Sequence, residues 1–304
     1  MEETTNTGAR KKFGFFLGCN MPAIRPDVER SIRLTLPALG VDLEDLPGYV
    51  CCPAFGTFPS LDDDAHLAVS AWNMSIGEAQ GVDLMVECGS CYSSLRTGRH
   101  MLQDEAKRKR VEPLLEKAGK RYEGTGTPRH VTDVLYNEIG LDRIRAAVKQ
   151  PLEGVHAVVQ YPCHTLFPSD IVGFEESSVR PHVLADLMEA LGATVDHFSL
   201  EHLCCGGAGG FHGSSRAECE AFSKRKFDAI LAETQAQLIV VSCITCLMHL
   251  DNVQKELESG NGSNYSLPVF DYNQLLALCM GFPPDEVAAL STISREPIVG
   301  RFRS

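Results

Sequence analysis

The chain has 304 residues and a formal charge of −12 at pH 7, a sign that disfavours nucleic acid and anionic membrane surfaces as partners. Hydrophobic residues at 44% and charged residues at 22% give a core-forming globular composition and exclude a disordered chain. No apolar run is long enough to cross a bilayer, and the acidic start Met1-Glu2-Glu3 is not a secretory leader, so a cytoplasmic protein without a membrane span is expected.

Residues 1–12 are polar, include Arg10-Lys11-Lys12 and read as a mobile leader. Phe13-Gly14-Phe15-Phe16-Leu17-Gly18 is a short apolar run ending in Gly, a buried strand that brings Cys19 to its carboxyl end. Pro26 suits the first turn of a helix carrying Val28, Ile32 and Leu36 at helical spacing, with Pro37 and Gly40 closing it. Residues 41–46 lead to Cys51-Cys52-Pro53-Ala54. Ser60-Leu61-Asp62-Asp63 has the form of a capping box and opens a helix that Gly81 ends. Residues 82–87 form a strand, and it delivers Cys88-Gly89-Ser90-Cys91. The stretch 96–121, rich in Lys, Arg and Glu, reads as a solvated helix face. A turn at 124–128 precedes an amphipathic helix over 131–148.

The second half repeats this order. Residues 155–161 are a strand ending at Cys163, 180–191 a helix closed by Gly192, and 194–198 lead to Cys204-Cys205-Gly206-Gly207-Ala208-Gly209-Gly210. Ser215-Arg216-Ala217-Glu218 is again a capping box for a helix, and residues 238–242 are a strand that delivers Cys243-Ile244-Thr245-Cys246. The last residues, 294–304, carry Arg295, Arg301 and Arg303 and read as a loose tail or docking arm. Strand and helix alternate in both halves, which predicts an α/β fold: two related domains, 1–150 and 151–304, each a small parallel sheet flanked by helices and the two related by a pseudo-twofold axis. Every cysteine motif falls at a carboxyl edge, where such folds place their functional loops.

Twelve cysteines in a reducing compartment are material for metal binding or redox chemistry rather than disulfides. Ten follow one pattern written twice: Cys19, Cys51-Cys52, Cys88 and Cys91, then Cys163, Cys204-Cys205, Cys243 and Cys246. Cys219 and Cys279 stand outside it and read as buried apolar fillers. Adjacent thiols do not readily close on each other. A tetrahedral zinc site takes four ligands and would strand a fifth thiolate, whereas iron-sulfur clusters spread several irons over several thiolates. The glycines beside Cys204-Cys205 let backbone N–H groups approach a bound anion, and the helix opened by Ser214 or Ser215 points its positive end the same way. They match no nucleotide-binding glycine loop.

The two quintets resemble the paired cysteine-rich CCG domains of the heterodisulfide reductase B subunit family. Phe15-Phe16-Leu17-Gly18-Cys19, Val50-Cys51-Cys52-Pro53-Ala54, Glu87-Cys88-Gly89-Ser90-Cys91 and Cys204-Cys205-Gly206-Gly207-Ala208-Gly209-Gly210 carry the likeness. The resemblance implies a noncubane [4Fe-4S] cluster in each half, bound through its five cysteines, and a disulfide substrate split between the two. It also implies partners, an iron-sulfur C-type subunit and a flavin-containing A-type subunit, and a substrate of the CoM-S-S-CoB type or an analogous sulfur compound. The gap from Cys163 to Cys204 exceeds that from Cys19 to Cys51, which predicts a surface insertion over 169–178 and leaves one [4Fe-4S] cluster plus zinc as the alternative cofactor set. His164, beside Cys163, is the candidate proton donor, with His202 and His212 flanking the second pair; hydrogen bonding of His164 to a ligand thiolate is the competing role. Alternative functions are a subunit of a bacterial sulfur-oxidising complex of related build, a CCG-domain electron-transfer subunit of a dehydrogenase passing electrons to quinone, and a zinc-stabilised scaffold.

Overall fold

A computed structural model describes residues 10–174, 177–207, 214–261 and 264–303. Most of the predicted leader, together with Ala208, Gly209, Gly210 and His212, lies outside these residues. The strands run as short apolar stretches because both faces of a parallel sheet are covered by helices. The first half holds β1 (Lys11–Phe16), β2 (Val41–Glu44), β3 (Asp83–Val86) and β4 (Pro128–His130), in the order β2-β1-β3-β4. The second holds β5 (His156–Gln160), β6 (Thr194–Val195), β7 (Leu238–Val241) and β8 (Val269–Asp271), in the order β6-β5-β7-β8. All pairings are parallel. The registers correspond: Phe16 pairs with Val86, and Gln160 pairs with Val241. Loops leaving the central strands of both sheets therefore start level with one another.

Several local expectations change. Lys11 and Lys12 of the predicted leader already belong to β1 and pair with β2, and Lys12 Nζ meets Glu44 Oε1 at 3.0 Å. The helix Asp63–Gln80 is capped by Asp62, whose carboxylate accepts from Ala65 N at 2.9 Å, while Ser60 belongs to the short helix Phe58–Leu61. Ser215 precedes the helix Arg216–Glu233 but gives its hydroxyl to the Glu218 carboxylate instead of accepting from the backbone. A complete capping box forms at Asp271, with Asn273 N on its carboxylate and its own N–H on Gln274 Oε1. The helix predicted over 131–148 is broken into Val131–Asp133, a π-helical turn Val134–Ile139 and Leu141–Ala147, with Gly140 at φ +83° between the last two.

Two surface expectations are corrected. The stretch 169–178 is not a plain surface insertion: Tyr92 donates its hydroxyl to Val172 O at 2.7 Å, Arg96 Nε donates to Ile171 O at 3.0 Å, and Phe174 stacks on His130. The end of the chain is no loose tail. Ile298, Val299 and Phe302 are buried, and the Arg295 guanidinium lies 4.4 Å above the Phe270 ring. Apolar residues interleaved with these arginines at helical spacing pull the segment in.

The halves exchange helices. Tyr272–Cys279, which follows β8, packs on Pro26–Ala38 of the first half, and Gln274 Nε2 donates to Asp27 Oδ2 at 2.6 Å. Reciprocally, the segment after β4 packs on Val183–Ala190, with Tyr136 Oη donating to Asp186 Oδ2 at 2.9 Å. One apolar core consequently runs through both halves, from Phe13 to Phe302. A smaller core around Phe16, Leu67, Leu84 and Leu95 lies mostly in the first half and takes in Val172 from the second. Among the described residues no helix is long and apolar enough to cross a membrane.

The exchange is tied by a buried ionic network. Asp27 receives Arg25 at 3.1 Å, Gln274, and Arg295 at 3.7 Å. Removing one member of such a group leaves charges buried without compensation. Asp27→Ala is expected to lose about 3–5 kcal/mol of stability, read as a lower urea midpoint, whereas the exposed pair Arg30–Glu286 can be broken by Arg30→Ala with about 1 kcal/mol or less.

Candidate metal centres

Most of the thiols follow a strand that stops and a loop that turns, while Cys91 and Cys246 sit in the first turns of the helices that come next. Gly18, at φ +67°, makes the turn after β1, and a Cβ there would stand 3.1 Å from Cys91 Sγ. Cys88 and Cys243 lie just past the ends of β3 and β7 and open the helices Gly89–Met101 and Ile244–Asn261. Cys51-Cys52 and Cys204-Cys205 come from the loops after β2 and β6. At the second pair Gly207 is closely packed, because a Cβ there would lie 2.5 Å from His249 Cβ and force a shift.

The structure brings all ten predicted thiols together. They interact in an unbroken order: Cys19, Cys51, Cys52, Cys91 and Cys88 of the first half, then Cys243, Cys246, Cys205, Cys204 and Cys163 of the second. Cys91 Sγ and Cys52 Sγ are 3.1 Å apart, Cys163 Sγ and Cys204 Sγ 3.9 Å. The quintets meet where Gly89 N donates to Cys243 Sγ at 3.3 Å and Cys88 Sγ stands 3.6 Å from Thr245 Oγ1. Two more amides serve the second quintet: Gly206 N reaches Cys204 Sγ at 3.3 Å and Gly207 N reaches Cys205 Sγ at 3.5 Å. Cys219 and Cys279 are fully buried elsewhere, as fillers would be.

So many thiols in so small a space cannot all ionise unaided. Hydrogen bonds from Cys163 and Cys205 pull Cys204 down to about 2, and the same contact pushes Cys205 up to about 12. Bonds from Cys51 and Cys91 bring Cys52 down to about 5. Cys88 is held well below the usual thiol range by Cys243 and Cys91, while Cys91 rises well above it. Cys52, Cys88 and Cys204 are thus the thiols pulled down, while Cys51, Cys91, Cys243, Cys246, Cys205 and Cys163 are pushed up and keep their protons, which only polycationic metal would release. Among the described residues no group of three or more His, Cys, Asp and Glu side chains is placed to hold a metal ion by itself; the sulfurs form a row rather than converging on one point. Soft thiol donors, N–H groups aimed at sulfur and small residues beside them fit iron-sulfur chemistry.

Polar groups surround the row unequally. His164 is half-buried, edge-on to Phe55 of the other half with centroids 4.7 Å apart. Burial lowers its pKa, while the charges of Cys204 and Cys88, one from each quintet, pull it up. His202 faces solvent beside Glu201 Oε1 at 3.2 Å. Sequence reasoning missed the buried carboxyls Glu87 and Asp271, which share Asn273 Nδ2 at 3.3 and 2.9 Å. It also missed Lys226, buried with its Nζ on Leu200 O at 2.7 Å. Desolvation pulls this ammonium down to about 8 against the attraction of Cys205, Cys246 and Cys204.

Residues 13–96 and 157–251 match the cysteine-rich CCG domain, once in each half. An Archaeoglobus profundus protein, described as resembling the B subunit of heterodisulfide reductase, is 42% identical, the match covering 95% of this chain and 97% of that protein. The B subunit of the ferredoxin/F(420)H(2)-dependent CoB-CoM heterodisulfide reductase of Methanosarcina acetivorans is 33% identical over 91% of both chains. The chain belongs to the heterodisulfide reductase B subunit family. A third relative of this family member is the 8-methylmenaquinol:fumarate reductase membrane anchor subunit of Wolinella succinogenes, 29% identical over 91% of this chain and 95% of that one. The fold itself recurs in the crystal structure of a hypothetical protein from Helicobacter pylori, with a TM-score of 0.72 over 94% of this chain at 13% identity, this chain spanning 53% of that one.

Within this heterodisulfide reductase-type fold, Gly207→Ala is expected to cost about 1–3 kcal/mol, seen as a lower thermal midpoint, because His249 and the backbone that carries it must move. Gly260, where a Cβ would meet nothing within 4 Å, serves as control; Gly260→Ala in the helix should be neutral or stabilising by up to about 1 kcal/mol.

Proposed function

We propose that this chain is the catalytic iron-sulfur subunit of a heterodisulfide reductase-like complex, cleaving or forming a disulfide. Cys19, Cys51, Cys52, Cys88 and Cys91 would hold one noncubane [4Fe-4S] cluster, and Cys163, Cys204, Cys205, Cys243 and Cys246 the other. The observation that carries this reading is the junction of the two quintets at Cys88 and Cys243. It gives a two-headed site where both sulfurs of one disulfide can be addressed at once. Reduction of such a bond takes two electrons and two protons and yields two thiols; the clusters would supply the electrons. A CoM-S-S-CoB-type compound or an analogous sulfur substrate is the substrate class that family membership supports.

The chain's own residues would bind the halves of the substrate, exclude water and move the protons. His164 suits the last task. Its ring packs edge-on to Phe55 of the other half, and burial lowers its pKa while the charges of Cys204 and Cys88, one from each quintet, raise it, so it suits picking up and passing a proton. Electrons would arrive from partners resembling the family's iron-sulfur C-type and flavin-containing A-type subunits. A second reading, electron transfer toward quinone, draws on the likeness to the Wolinella succinogenes protein.

Anaerobically prepared protein supplied with its partners, or with a low-potential reductant, should release two thiols per disulfide consumed. His164→Asn is expected to lower that turnover by about 10²-fold or more with iron content unchanged. Turnover equal to the native protein's would remove His164 from the chemistry, and absence of thiol release with any candidate disulfide would favour the quinone reading.

A further inference from the structure

The halves share topology, register and cysteine order, so corresponding positions can be compared directly. The helices Asp63–Gln80 and Arg216–Glu233 are equivalent, each following its Cys-Cys loop. Asn73 and Lys226 occupy the same place in them, eleventh in each helix, and both are fully buried. Asn73 Oδ1 accepts from Val50 N at 2.9 Å, beside Cys51. Lys226 Nζ instead donates to Leu200 O at 2.7 Å and Glu201 O at 3.4 Å, one helical turn beyond Ser223, whose hydroxyl donates to Cys205 O at 3.0 Å. A neutral amide behind the first quintet is thus replaced by an ammonium behind the second.

The loops differ in the same sense. Gly206 and Gly207 place N–H groups on Cys204 and Cys205 at 3.3 and 3.5 Å. The residue corresponding to Gly206 is Pro53, which has no N–H to give. Cys19 and Cys51 are exposed, whereas Cys163 and Cys204 are only partly so.

We infer that the two sites are unequal electron acceptors, with the second half, marked by Lys226 and Gly206, having the higher reduction potential. This rests on the proposed iron-sulfur reading. An added electron is negative charge, so a nearby ammonium and N–H donors on the ligand sulfurs stabilise the reduced state. Water at Cys19 and Cys51 acts in the opposite direction at the first site, but a charge pair in the interior attracts about four times as strongly as in water. A cluster held by the second quintet would take the donor's first electron, the donor being oxidised by one electron.

The test is a redox titration of the anaerobic full chain with dithionite, followed by electron paramagnetic resonance, with iron counted on every sample. The native protein should show two midpoints. Lys226→Met should lower the higher one alone, and Pro53→Gly should raise the lower one alone. Pro53 lies in a loop, so its variant tests the inference even if Lys226→Met fails to fold. One shared midpoint, or a Pro53→Gly variant whose lower midpoint stays fixed, would overturn the inequality. Material that binds no iron would instead remove the proposed function.

Discussion

Mutual repulsion among ten thiolates is the constraint that orders this molecule. Sulfur atoms as close as the 3.1 Å between Cys91 and Cys52 cannot share a low-dielectric interior as anions unless positive charge stands between them. Without metal the row keeps most of its protons and leaves Cys52, Cys88 and Cys204 to accept the hydrogen bonds of their neighbours, and this is why Cys204 and Cys205 diverge in opposite directions although they are neighbours in the chain. Glycine, amide N–H groups and one buried lysine are the further concessions to the same charge.

The exchange of helices between halves follows from where the row lies. Both sheets turn their carboxyl edges toward each other so that Cys88 can meet Cys243, and elements beyond β4 and β8 then reach across to close the opposite half. Asp27, buried with Arg25, Arg295 and Gln274, is the polar lock of that exchange. Because one core serves both halves, the positions of the two quintets relative to each other are fixed by packing rather than by a linker.

Much of this architecture is legible in the sequence. The doubled cysteine order marks the thiols, their edge location and the α/β repeat, since spacing after short apolar strands is a strong signal. Strands β4 and β8 leave no such trace because three residues each, one of them Pro128, are too short for any period to show. The buried tail is hidden because its arginines suggest solvent, while Arg295 in fact covers Phe270. Lys226 is invisible for a related reason: a lysine in a charged helix reads as an outward residue, and only its match to Asn73 across the repeat reveals its position. Capping departs from its motif at Ser60 and Ser215, where the pattern is present but Asp62, or a side-chain carboxylate, takes the bond.

Counting iron most directly tests whether the row is a pair of metal centres. Anaerobically isolated protein should hold about eight irons per chain if each half binds a four-iron cluster, and Cys91→Ser or Cys246→Ser should each remove about half of them. Protein that contains zinc in place of iron, or an iron content that both substitutions leave untouched, would contradict the account.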